Sequence, residues 1–189
     1  MKRLPSQGFE MCCMSKDTVQ MCLYAFLKWG DYELAVNFLI DMTETQVDTP
    51  DRVVVIREMH EKVMTTIATT MRGLHLAEQL LQCLWKSCNK QHTKSLRPHG
   101  ALYALLIQGY ADRNALVDID RLLQAYEQVY QNGRLDADQP TLPHTIAFRA
   151  WEGAKQDAHT ANRLAAIRDG AVNIKACAAL KKQKANHQK

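Results

Sequence analysis

Few residues of this chain have the types and spacing that catalysis requires. His60-Glu61 opens like the helix of a zinc hydrolase, but the place of the second histidine is taken by Met64, so the metal-binding pair is missing. The dipeptide therefore reads as a solvated helix face. Cys83, Cys88 and His92 have a loose metal-like spacing, yet Cys83 sits inside the apolar run LLQCLW and no fourth ligand follows at a zinc-knuckle distance. No glycine-rich phosphate loop, nucleophile elbow or paired-carboxylate motif appears. The expectation is a protein that is not an enzyme and uses no metal or cofactor.

Side chains that meet nucleic acid are the next candidates. Trp29, Trp85 and Trp151 stand near the ends of helical runs, and Tyr126 and Tyr130 share a helix face. All keep the spacing of the apolar stripe, so packing between helices is preferred here over stacking on bases. The formal charge is +4, and it is unevenly spread. Arg163, Arg168, Lys175, Lys181, Lys182, Lys184 and Lys189 face Asp169 alone in the last stretch, which leaves the remainder slightly acidic. This counts against a large phosphate-binding surface over the whole body, whereas a local stripe or the tail KKQKANHQK can supply one.

The 189 residues suffice for one domain with its own core. Six cysteines at irregular spacing, several inside apolar helical runs, read as reduced thiols in a reducing compartment. No run approaches a membrane span, which predicts a soluble chain without membrane insertion. The start, MKRLPSQGFE, lacks the Arg and Ser content of a transit peptide.

Almost every apolar run has helical spacing, and none sustains a period of two, so the fold is expected to be all-α. Helices are predicted at Thr18 to Trp29, Tyr32 to Met42, Arg52 to Met71, Leu74 to Lys90, Ala101 to Ala111, Val117 to Tyr130, Thr145 to Gly153, His159 to Arg168 and Val172 to Lys184, with Gly170 dividing the last two. The second helices superpose: Ala35, Ala77, Ile119 and Ala161 form one column at equal intervals, and Phe38, Leu80, Leu122 and Leu164 another. A small residue at a crossing followed by a large one a turn later suits a closely packed antiparallel helix pair, and about four pairs are expected. Residues 1–17 are read as an N-terminal extension, 18–170 as the repeat domain and 171–189 as a basic C-terminal helix or tail.

PHGALYALLIQGY (Pro98 to Tyr110) resembles the start of a pentatricopeptide repeat, where a proline and a polar residue precede an aromatic and an apolar helix ending in Gly-aromatic. LPHTIAFRAWEGA (Leu142 to Ala154) restates it with Phe148 in place of Tyr103, KWGDYELAVNFLIDM is similar to the junction between the two helices, and VDTPD to the repeat's closing proline-aspartate. The resemblance implies a right-handed α-solenoid, similar to tetratricopeptide superhelices, that binds single-stranded RNA in a mitochondrion or plastid and acts in RNA processing, stability or translation. It places base-reading positions at Gln20, Val63, Ala104 and Arg149 early in the first helices, and at Asp51, His99 and His144 at the repeat ends, with Lys181, Lys182 and Lys184 adding charge. Val63 and Ala104 carry no donor or acceptor for a base edge. The alternative is a tetratricopeptide-like adaptor, or a structural subunit of a ribonucleoprotein such as a mitochondrial ribosome, whose concave face takes a protein partner.

Overall fold

A computed structural model describes residues 15–45, 50–70, 72–91, 97–135, 137–154 and 158–187. Among the described residues the chain forms helices and no strand: α1 (Lys16–Trp29), α2 (Tyr32–Thr45), α3 (Pro50–Ala68), α4 (Leu74–Gln91), α5 (Gly100–Ala111), α6 (Leu116–Gln131), α7 (Leu142–Glu152) and α8 (Ala158–His187). No described helix is long and apolar enough to cross a membrane.

Local signals account for the ends. Ser15 caps α1 by accepting from the Thr18 N–H at 3.2 Å. Gly30, at φ 76°, stops it in the left-handed region that a side chain would disfavour. Asp31 then accepts from the Leu34 N–H and starts α2. In the stretch RPHGALYALLIQGY the residue at the helix entrance is His99, whose Nδ1 accepts from the Ala101 N–H at 3.3 Å; Pro98 precedes it.

Each helix touches its successor, and contacts also join α1 to α3, α2 to α4, α3 to α5, α5 to α7 and α6 to α8. Helix α5 meets α3, α4, α6 and α7, and Leu102, Tyr103, Ala104, Leu106 and Ile107 are all buried. The Trp85 indole N–H donates to the Tyr103 hydroxyl at 2.9 Å. The Tyr103 ring lies 5.6 Å from that of Tyr126. Tyr126 is fully buried, and its hydroxyl donates to the Pro140 carbonyl at 2.6 Å. Tyr110 donates to Glu78, whose carboxyl is held below its ordinary pKa first by the hydrogen bonds from Arg121.

Ala35, Ala77 and Ile119 are fully buried, as their column requires. The fourth member departs from it: Ala161 is exposed, because it lies on the side of α8 turned away from α6 and α7. Of the tryptophans, Trp151 donates to Asp120 at 3.0 Å and Trp85 is tied to Tyr103, but Trp29 is 79% exposed and packs little. His60 is no solvated face. It is fully buried, with Nδ1 2.9 Å from the Ile56 carbonyl and Nε2 3.3 Å from Thr43 Oγ1, and burial lowers its pKa to about 4. Glu61 is the solvated half, paired with Arg57.

Gly170 does not end a helix. One helix runs from Ala158 to His187 through the boundary expected after residue 170. Gly170 is buried there, and a Cβ would come within 2.3 Å of Glu127 Oε1 and 2.9 Å of His144 Nε2. The glycine lets α8 approach the pair formed by His144 and Glu127, 2.8 Å apart. Gly170→Ala is therefore expected to destabilise by about 1–2 kcal/mol, because displacing Glu127 from a buried imidazole outweighs the gain of about 1 kcal/mol in helix propensity. Urea unfolding measures this; a stabilised variant would contradict the close approach.

Candidate nucleic-acid interface

The positions assigned to base reading fall into separate places. Gln20 and Val63 lie at the groove between α1 and α3, Gln20 half-buried and Val63 1% exposed. Asp51 is in the first turn of α3, and its side chain, like that of Lys184, lies outside the described residues. His92 is also outside them. His99 caps α5 and lines a groove between α3 and α5. Ala104 is only 4% exposed, because α5 is surrounded by four helices, so its methyl group does not face a ligand. His144 is 2% exposed and already bonded to Glu127. Lys181 is engaged as well: its ammonium sits 3.9 Å from the centroid of the Tyr130 ring and reaches the carbonyls of Tyr130 and Leu135, where a cation favourably meets the end of α6.

Arg149, by contrast, is exposed on α7 and joins a built groove. Between α7 and α8 lies a cleft of about 420 Å³. Its α7 wall presents Thr141, Thr145, Phe148, Arg149 and Glu152, and its α8 wall Ile167, Arg168 and Lys175, with His144 at its lining. Among the described residues no carboxylate lies within ion-pair distance of Arg149, Arg168 or Lys175. Three cations thus face the single carboxylate Glu152. The Arg168 guanidinium lies 4.9 Å from the centroid of the Phe148 ring, so an aromatic surface and a planar cation border the same opening. Unneutralised guanidinium and ammonium groups beside hydroxyls and a ring suit phosphate oxygens and an unstacked base.

The groove between α1 and α3 has another character. It encloses about 900 Å³, and its walls carry Met21, Tyr24 and Leu27 over a floor of Leu23, Met59 and Val63. Met21 and Tyr24 are 72% and 67% exposed. Of its charged residues, Glu58 pairs with Lys16 at 3.2 Å and Glu61 with Arg57 at 3.7 Å, and Asp17 and Lys62 also line it. It suits an apolar partner.

Among the described residues no group of three or more His, Cys, Asp or Glu could hold a metal ion, and Cys22, Cys83, Cys88 and Cys177 are in no disulfide. Burial pushes the Cys83 thiol above its ordinary pKa, which leaves it inert as a nucleophile at neutral pH. The partnership of Arg149 with Arg168 and Lys175 is not legible locally, because only packing brings α7 beside the unbroken helix that carries the other two residues on one side. No family model matches the chain, nor does any curated protein or solved structure.

Proposed function

We propose that the chain is a pentatricopeptide-repeat-like protein that binds single-stranded RNA, built as a right-handed solenoid of about four antiparallel helix pairs and acting on organellar RNA. The observation that carries the reading is the α7–α8 groove, where Arg149, Arg168 and Lys175 stand unneutralised beside Phe148. The alternation of contacts between successive and next-but-one helices supports the repeat architecture. Contact is made chiefly to the phosphate backbone, because the buried Val63, Ala104 and His144 leave few groups to read bases. A second reading, an adaptor or ribonucleoprotein subunit, is favoured by the exposed Met21 and Tyr24 over the α1–α3 groove.

Fluorescence anisotropy with an unstructured RNA across a salt series separates the two. Wild-type affinity should fall with rising salt. Arg149→Glu combined with Arg168→Glu should weaken binding roughly tenfold or more at low salt and flatten the log–log slope by about two. A wild-type slope near zero would remove phosphate contact and leave the adaptor reading.

A further inference from the structure

Helices α2 and α8 are unlike in charge and alike in presenting an exposed face. Helix α2, YELAVNFLIDMTET, carries Glu33, Asp41 and Glu44 and no lysine or arginine. Its Leu34 is 45% exposed. Helix α8 carries the opposite sign on balance, with Lys175 and Lys182 exposed and Asp169 its one acid. On the side turned away from α6 and α7 it presents Val172 at 63% and Leu180 at 57% exposure, interspersed with exposed Ala176 and Ala179. Helical spacing places Val172, Ala176, Ala179 and Leu180 on one stripe. An apolar stripe opposite a helix's buried face calls for a further cover, and among the described residues nothing provides it.

Within the chain α2 already lies against α4, and α6 against α8. A further helix on the free side of α8 would extend this series, and the helix with complementary charge, a short exposed leucine and no basic residue is α2. We propose that the chain associates head to tail with further copies of itself, α8 of one copy seated on α2 of the next. Lys182 then meets the acidic row of Glu33 and Glu44, while Leu34 rests on the alanine stripe that allows close approach. The contact is heterologous, so each copy keeps one free head and one free tail, and assembly grows with concentration unless a ring closes. Because the attraction is largely between exposed charges, it weakens with salt.

The test needs no RNA, so its result is independent of the reading above. Sedimentation velocity of the full chain at low ionic strength should show a mass that rises with concentration above the 21.5 kDa monomer and returns toward it in high salt. A head variant, Glu33→Lys with Glu44→Lys, and a tail variant, Val172→Glu with Lys182→Glu, should each stay monomeric. Their equimolar mixture should associate again, since the tail of the first and the head of the second are intact. That restoration also shows that both variants are folded. A wild type that remains at monomer mass up to its solubility limit overturns the proposal, as when the chain's own remaining residues or a different protein cover these faces. So does a mixture as monomeric as its components.

Discussion

Replacing Tyr126 by alanine should cost about 3–5 kcal/mol of stability, the range for losing a large buried aromatic side chain. The ring is fully buried and touches aromatic rings from three elements: Tyr103 at 5.6 Å, Tyr130 at 5.8 Å and His144 at 6.0 Å between centroids. Its truncation opens a cavity where α5, α6 and α7 meet. Tyr126→Phe isolates the polar share: it keeps the ring and strips the Pro140 carbonyl of its donor, at about 1–2 kcal/mol. Burial holds the phenol above its ordinary pKa, so it remains a donor throughout the neutral range. Urea unfolding of the two variants measures both terms. An alanine variant no less stable than the phenylalanine one would mean that this aromatic cluster contributes little to the core.

The second large effect is on pH dependence. His60 titrates near its ordinary value of 6.5 when unfolded, but only at about 4 when folded, chiefly because burial disfavours the imidazolium. The folded state therefore binds fewer protons between those values. The stability linked to His60 is fully present above pH 6.5, is lost as pH falls toward 4, and amounts to about 3 kcal/mol. Other groups titrate in the same window, so the informative quantity is the difference between wild type and His60→Gln, which stays polar without titrating there. Unfolding free energies of the two proteins, measured from pH 7 to pH 4, should converge as the pH drops. Parallel curves would show that the ring is protonated or solvated in the folded state.

The residues that announced their role in the sequence were those whose surroundings are local. The period of the apolar runs fixed the helical class, and the caps at Ser15 and Gly30 act over a few neighbouring residues. Ala35, Ala77 and Ile119 were legible because a small or branched residue at a crossing repeats wherever helices pair. Ala161 broke the column because burial there depends on what lies beyond the helix. Gly170 was misjudged for a related reason. Its local preference is to interrupt a helix, but the approach to His144 and Glu127 requires the absence of a side chain, and that demand comes from residues far away in sequence. With the break removed, Lys175 joins Arg168 on one continuous helix, in the wall of a groove that Arg149 completes. The same holds for the base-reading positions: whether a residue early in a helix is exposed depends on how many helices surround it, which for the helix of Ala104 is four.

The four neighbours of α5 also govern how the native state breathes. Helix α1 makes its main contacts with α2 and α3 among the described elements, so it can detach in a partial opening that leaves the remaining helices joined. No comparable opening frees the middle of α5, since its backbone is released only when α3–α4 separates from α6–α7. Its amide protons should consequently exchange with solvent at the rate of global unfolding, while those of α1 exchange through a local, less costly event. The molecule has a kinetic centre and a kinetic edge, and the apolar groove between α1 and α3 lies at the edge, so that its shape changes whenever α1 opens.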